Sequence, residues 1–193
     1  MESEGKIQIY TGDGKGKTTA SIGLCTRALG AGFHVFYAQF MKDGTSSEIA
    51  FLKKSAPEHF VYFCRGSGKF ILGTPSRDEV ERAAVTLEAL KEALESRKYD
   101  MVFADEIFGA LNAGLLARED VLSLMRARSG GTELILTGRN VPREIACLAD
   151  LISEIECRRH YYAQSRRALL FARVTCKRLG NGRGCRHSRR NFD

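Results

Sequence analysis

The loop Thr11–Thr19, which reads TGDGKGKTT, constrains the fold of this chain more than any other segment. It lies between a β-rich run, Lys6–Tyr10, and an amphipathic pattern typical of a helix. The common phosphate-binding loop reads G-x-x-x-x-G-K-[ST]; here Thr11 takes the place of the first glycine, and the Gly-Lys-Thr ending is intact. The order strand, loop and helix disfavours a simple Gly/Lys surface turn and predicts a loop that binds a chain of phosphates.

Each residue type in this loop suits an anionic ligand. Glycines let backbone N–H groups turn inward around an anion, and the N-terminus of the following helix adds partial positive charge. Lys17 adds a full charge for the phosphates, and the hydroxyl of Thr18 can bind Mg²⁺. We therefore expect ATP to bind here, with Lys17 and Thr18 as the residues that act on its phosphates.

The rest of the chain alternates between strand-like and helical patterns. The further strand-like runs are Val35–Phe40, Phe60–Cys64, Met101–Ala104, Glu133–Thr137 and Leu151–Ile155. The helical patterns are Thr18–Ala31, Ser47–Ser55, Ser76–Lys98, Glu119–Arg128 and one that begins at Pro142. Apolar strands separated by helices indicate a parallel sheet covered on both faces. The predicted fold is therefore α/β: a single P-loop NTPase-like (RecA-like) domain with a mostly parallel sheet and helices on both faces.

The longest helical pattern begins with a recognisable cap. Ser76 is the predicted N-cap, and Glu79 stands three residues further on, which is the arrangement of a capping box. The 3.6-residue period predicts one apolar face toward the core. We assign to this face Val80, Ala83, Ala84, Leu87, Leu90 and Leu94.

Two further motifs lie at the carboxyl ends of strands, where parallel sheets bind their ligands. Asp105 and Glu106 can hold Mg²⁺ through their carboxylates, although an acidic pair can also cap a following helix. In Thr137-Gly138-Arg139, Arg139 is well placed as a cation that faces phosphate. Arg27, nine residues beyond Thr18, could reach phosphate or pair with an acid, and the sequence leaves both open.

The basic excess of the chain is confined to its C-terminal part. The net charge is +7, but residues 158–193 contain eleven Lys or Arg and one acid, which leaves residues 1–157 at −3. We predict one domain over residues 1–162, followed by a basic, solvated and disordered extension over 163–193. A tail that binds nucleic acid is the less favoured alternative.

The sequence also predicts the setting of the protein. It contains no apolar stretch of about 20 residues and no apolar leader, so we expect a cytoplasmic protein without a membrane partner. Four cysteines fall in apolar segments and are expected to pack as small hydrophobes without disulfides: Cys25, Cys64, Cys147 and Cys157.

Taken together, these segments resemble one known family. The loop followed by Arg27, the run Gln39–Lys42 (QFMK) and the Asp105-Glu106 strand are similar to those of the P-loop ATP:corrinoid adenosyltransferases. Thr137–Glu156 and His160–Tyr162 resemble the later part of that family, so the resemblance spans roughly residues 5–162. A threonine in place of the first loop glycine is itself a trait of the family.

The resemblance implies an alkyl transfer rather than a hydrolysis. A reduced Co(I) corrinoid, cobalamin or cobinamide, would take the 5′-deoxyadenosyl group of ATP and release tripolyphosphate, in adenosylcobalamin synthesis. ATP would be the co-substrate, Mg²⁺ the cofactor, and the partners a second copy of the chain and an electron-donor protein that reduces cobalt. The implied nucleotide contacts are Gly12, Asp13, Gly14, Lys15, Gly16, Lys17, Thr18, Thr19, Arg27, Glu106 and Arg139, and the implied metal ligands are Thr18, Asp105 and Glu106.

The corrinoid site departs from the family pattern. Family members often carry an aromatic pair that includes Trp after the third strand, and this chain contains no Trp. The corresponding stretch offers Gly66, Gly68 and Phe70 as corrinoid contacts. The alternative enzyme is a P-loop ATPase or kinase-like protein that cleaves the terminal phosphate, which differs from the transferase in its products.

Overall fold

The computed structural model describes residues 5–69, 71, 73–128 and 130–159. The chain divides into two units, Met1–Glu156 and Cys157–Asp193, and the first contains all the strands and helices that are described. The predictions for Phe70, for His160–Tyr162 and for the extension 163–193 lie outside the described residues.

Strands and helices follow each other in the order that the sequence predicts. The strands are β1 (Ile7–Thr11), β2 (Val35–Gln39), β3 (Phe60–Cys64), β4 (Met101–Asp105), β5 (Glu133–Thr137) and β6 (Leu151–Glu154). The helices are α1 (Lys17–Gly30), α2 (Ser47–Ser55), α3 (Arg77–Glu95), α4 (Ile107–Asn112), α5 (Arg118–Ala127) and α6 (Arg143–Ala146). The short helix α4, directly after the acidic pair, is the one element without its own sequence prediction.

The strands form one sheet in the order β3-β2-β4-β5-β1-β6, and every neighbouring pair is parallel. The strand that carries the phosphate-binding loop and the strand that ends in Asp105 are therefore separated by β5 alone. Because all strands run the same way, their carboxyl ends meet at one edge of the sheet. The predicted α/β, P-loop NTPase-like fold is confirmed.

Side chains alternate between two cores on opposite faces of the sheet. Val35 and Tyr37 of β2 pack with α1 and α2, together with Met101 and Phe103 of β4. The residues between them on these strands pack with the longer helices on the other face, as Phe36, Ala38, Val102 and Ala104 do. Both faces are therefore buried, which explains why these strands read as apolar throughout.

Helix α3 begins as predicted, but its buried face is shifted. The Ser76 hydroxyl accepts the Glu79 N–H and the Glu79 carboxylate accepts the Ser76 N–H, so the capping box is confirmed. Val80 and Ala84, however, are exposed, and the assignment of these two residues to the core was wrong. The buried stripe follows the i, i+3, i+4, i+7 rule and consists of Ala83, Thr86, Leu87, Leu90, Ala93 and Leu94.

The prediction that four cysteines pack as small hydrophobes holds only in part. All four are free thiols; Cys25 is buried and Cys64 half-buried, whereas Cys147 and Cys157 are exposed. The last two flank β6, an edge strand whose apolar residues Leu151 and Ile152 are themselves exposed. In the part of the chain that the structure describes, no helix is long and apolar enough to cross a membrane.

Candidate nucleotide-binding site

The phosphate-binding loop joins β1 to α1 in the predicted manner. Gly16 occupies the N-cap of α1 with φ 126°, a conformation that L-amino acids with a side chain rarely adopt. Among the described residues, no side chain caps this helix N-terminus. The N–H groups of its first turn therefore remain available to an anionic ligand.

Two other glycines of the loop are required by close packing. A Cβ atom on Gly12 would lie 2.5 Å from the carbonyl oxygen of Ile155, and one on Gly14 would lie 2.6 Å from the same oxygen. Gly14 N–H donates to this oxygen at 2.7 Å, and Ile155 N–H donates to the Thr11 carbonyl at 2.9 Å. The loop is thus attached to the segment after β6. Thr11 itself lies in strand β1, where no glycine is needed.

Lys17 is buried inside the loop, only 6% exposed. Its Nζ donates to the carbonyl oxygens of Gly12 at 2.7 Å and Gly14 at 2.8 Å. These bonds use two of the three donors of the ammonium group, which leaves one for a ligand. Burial lowers the pKa of Lys17 and the positive charge of Arg139 lowers it further, while three nearby carboxylates act in the opposite direction.

Asp105 is fully buried at the end of β4 and accepts hydrogen bonds from three side chains. Gln39 Nε2 donates to Oδ2 at 2.9 Å and Thr137 Oγ1 donates to Oδ1 at 2.7 Å. Thr18 Oγ1 lies 3.2 Å from both oxygens. Burial raises the pKa of Asp105, and these three hydrogen bonds oppose that shift.

The direction of the bond between Thr18 and Asp105 determines what Thr18 can bind. An ionised carboxylate only accepts hydrogen bonds, so the Thr18 hydroxyl must be the donor. Its single proton is then directed to Asp105, and its lone pairs are left for a cation. The arrangement matches a hydroxyl that binds Mg²⁺ beside the phosphates.

Glu106 follows in a left-handed conformation, φ 60° and ψ 24°, at the N-cap of α4. Its N–H donates to Thr137 Oγ1 at 2.8 Å, which holds this turn against β5. Burial and the charge of Asp105 raise the pKa of Glu106, and the cations Lys17, Lys42 and Arg139 lower it. Neither acidic side chain caps α4: Glu106 makes no cap bond, and the hydrogen bonds of Asp105 come from other elements. The alternative of a simple helix cap is therefore wrong.

The two predicted arginine contacts are placed differently. Arg139 follows β5, its carbonyl oxygen accepts a 2.7 Å bond from Asn112 Nδ2, and its charge influences Lys17 and Glu106. Arg27 is exposed in the last turn of α1, nine residues beyond Thr18 and roughly 13 Å along the axis at about 1.5 Å per residue. Within this chain the structure brings Arg139 to the loop and leaves Arg27 at the far end of the helix.

Of the two predicted corrinoid glycines that the structure describes, Gly68 borders a cavity together with Glu106. A Cβ atom on Gly66 would meet the backbone of Lys42, and one on Gly68 would lie 2.9 Å from Asp43 Cβ, so both glycines allow close packing. A cavity of about 310 Å³ lies at this contact; it is lined by Met41, Lys42, Asp43, Gly68, Lys69 and Glu106. Gly68 and Glu106 therefore face one space.

Sequence reasoning gave no role to several residues of this site. Gln39, Tyr62 and Thr137 form the hydrogen-bond network around Asp105, and Ile155 holds the loop glycines. One signal was available in the sequence: Gln39 and Thr137 are polar residues that directly follow the apolar central residues of β2 and β5.

The fold and the site together define a nucleotide-binding P-loop α/β protein, and comparison with known proteins gives its family. The family model described as ATP:corrinoid adenosyltransferase BtuR/CobO/CobP matches residues 3–169. The corrinoid adenosyltransferase CobA of Salmonella typhimurium is 35% identical over 165 residues, which cover 84% of this chain and 82% of the relative. The Escherichia coli K12 corrinoid adenosyltransferase is 34% identical with the same coverage, and that of Pseudomonas aeruginosa is 29% identical over 83% and 79%. The chain belongs to the ATP:corrinoid adenosyltransferase family.

Proposed function

We propose that this protein transfers the 5′-deoxyadenosyl group of ATP to the Co(I) centre of a reduced corrinoid and releases tripolyphosphate, as a step of adenosylcobalamin synthesis. The observation that carries the proposal is the convergence of Lys17, Thr18, Asp105 and Glu106 at one edge of the sheet in a member of this family. ATP and the corrinoid are both substrates of the reaction.

The chemistry needs binding groups more than it needs an acid or a base. The lone pair of Co(I) forms a cobalt–carbon bond to C5′ of the ribose, and the C5′–O bond breaks. Tripolyphosphate leaves with the electron pair of that bond. The loop N–H groups, Lys17 and Arg139 stabilise the charge that develops on this leaving group. The protein further holds carbon and cobalt in line, which lowers the entropic part of the barrier.

The donor set at the loop fits Mg²⁺. Thr18 offers lone pairs, and Asp105 and Glu106 offer carboxylate oxygens, which are the hard ligands that this cation prefers. We propose that Thr18 and Glu106 hold the ion and that Asp105 acts directly or through water. When bound, Mg²⁺ neutralises phosphate charge.

The remaining parts of the proposal rest on the sequence and the family. Contacts of Gly66, Gly68 and Phe70 with the corrinoid, and of Arg27 with the nucleotide, remain predictions. A homodimer, an electron-donor protein for cobalt and a cytoplasmic location are predictions of the same kind. The cavity beside Gly68 and Glu106 supports a corrinoid approach from that side of the loop.

The test is an anaerobic reaction of the purified protein with ATP, Mg²⁺ and chemically reduced cobalamin. The absorbance spectrum should change to that of an alkylated corrinoid. Lys17→Ala should slow the transfer by at least about 100-fold, because a preorganised donor to developing charge contributes at least that factor. Lys54→Ala, which removes an exposed lysine of α2, is the matched control and should react like the wild type. A wild-type protein that yields no alkylated corrinoid contradicts the proposal.

A further inference from the structure

The side chain of Gln39 contacts the carboxylate of Asp105 but has no role in the reaction described above. Gln39 ends strand β2 and is fully buried. Its Nε2 donates to Asp105 Oδ2 at 2.9 Å, and its Oε1 accepts the Tyr62 hydroxyl at 2.8 Å. A buried amide with both ends satisfied holds its neighbours in a fixed geometry.

The chemistry of the groups fixes the direction of these bonds. Ionised Asp105 only accepts, so the NH₂ of Gln39 must face it and the amide oxygen must face Tyr62. The Tyr62 hydroxyl is then the donor. On the opposite side of the carboxylate, Thr137 Oγ1 donates to Oδ1 and receives the Glu106 N–H. Each oxygen of Asp105 thus has its own donor.

The two donors, Gln39 Nε2 and Thr137 Oγ1, together determine the orientation of the Asp105 carboxylate plane. Thr18 Oγ1 is 3.2 Å from both oxygens, so its position depends on a carboxylate that does not rotate. Without the Gln39 amide, Oδ2 loses this donor while Thr137 still donates to Oδ1, so the orientation of the carboxylate about the Cβ–Cγ bond is less tightly fixed. The Thr18 hydroxyl then no longer faces a carboxylate of fixed orientation, and the direction of its lone pairs is less well defined.

We propose that Gln39, anchored by Tyr62, is a positioning residue that orients Asp105 and thereby aims the Thr18 hydroxyl at Mg²⁺·ATP. The inference rests on the proposed function in taking Mg²⁺·ATP as the ligand. Gln39 acts through Asp105, because its two polar ends are engaged by Asp105 and Tyr62.

The test compares the affinity for ATP in EDTA with the affinity in Mg²⁺, measured by calorimetry. In Gln39→Leu, the gain in affinity on adding Mg²⁺ should fall about tenfold, the factor expected from loss of a charge-assisted hydrogen bond in a buried site. Affinity in EDTA should change by less than about twofold, because Lys17 and the loop are unaltered. High Mg²⁺ concentrations should restore the turnover of Gln39→Leu. This result would show that the variant needs more Mg²⁺ and that its limiting rate is unchanged.

The chain offers a matched control elsewhere in the same sheet. Gln8 Nε2 donates to Glu133 Oε2 at 2.6 Å, and Tyr10 OH lies 3.5 Å from Gln8 Oε1, so a tyrosine, a glutamine and a carboxylate are again in series. Gln8→Leu should leave the Mg²⁺ dependence unchanged. Tyr62→Phe keeps Gln39 but removes its anchor and should give a smaller loss, about fivefold.

The outcomes separate the two proposals. If the wild type forms no alkylated corrinoid, the proposed function fails, while the calorimetric comparison still tests the role of Gln39. If Gln39→Leu and Tyr62→Phe both keep the full Mg²⁺-dependent gain, the positioning role is overturned. Should Gln39→Leu not fold, Tyr62→Phe alone decides, and a gain equal to that of the wild type overturns the inference.

Discussion

Gly14→Ala tests the attachment of the phosphate-binding loop to the segment after β6. The new Cβ would lie 2.6 Å from the Ile155 carbonyl oxygen, which is also the acceptor of the Gly14 N–H at 2.7 Å. The obstacle is backbone, so no side chain can rotate away. Crowding costs roughly 1–3 kcal/mol and the weakened hydrogen bond about 1 kcal/mol more. If ATP binds only to the native loop, a total of roughly 2–4 kcal/mol weakens its affinity about 30- to 700-fold.

The assay is calorimetric titration with Mg²⁺·ATP, accompanied by urea unfolding to show that the sheet is intact. Gly23→Ala is the control, because a Cβ at this exposed position of α1 meets no atom within 4 Å. It should bind ATP normally and gain about 0.8–1 kcal/mol of stability, as alanine in a helix does over glycine. Wild-type ATP affinity in Gly14→Ala would refute the reasoning.

Three other predictions follow from the structure. Burial and Asp105 raise the pKa of Glu106 in the folded protein, so the stability it contributes is present at low pH and lost as the pH rises through that raised pKa. Glu106→Gln should therefore raise the free energy of unfolding at neutral pH, and the increase should be smaller in acid. Urea unfolding that gives the variant and the wild type equal free energies of unfolding at neutral pH would refute this. Ser76→Ala removes the N-cap of α3 and should lower the free energy of unfolding by about 1 kcal/mol, with ATP affinity unchanged. Burial raises the pKa of Cys25 to about 12, so iodoacetamide should label Cys147 and spare Cys25 in the native protein. Peptide mass spectrometry that finds Cys25 labelled as fast as Cys147 would contradict the burial.

Local signals made the fold and the loop predictable. The loop could be recognised because its glycines, lysine and threonine are adjacent in sequence and lie between a strand and a helix. Likewise, the cap of α3 depends only on Ser76 and Glu79. Such features need no knowledge of which strands are neighbours.

The rest of the site depends on strand order, which the sequence does not state. Gln39 meets Asp105, 66 residues away, because β2 pairs with β4, and Thr137 meets it because β5 is the other neighbour of β4. Ile155 reaches the loop because β6 pairs with β1. The exposure of Leu151 and Ile152 has the same origin, since periodicity cannot distinguish an edge strand from a central one.

The central claim is that the bond broken in ATP is the one at C5′, and the phosphate products test it most directly. Phosphorus NMR of the anaerobic reaction with Mg²⁺·ATP and reduced cobalamin should show tripolyphosphate, formed in step with the alkylated corrinoid. Little should form when the corrinoid is omitted. Orthophosphate and ADP appearing at the same rate with or without the corrinoid would contradict the account and identify an ATPase.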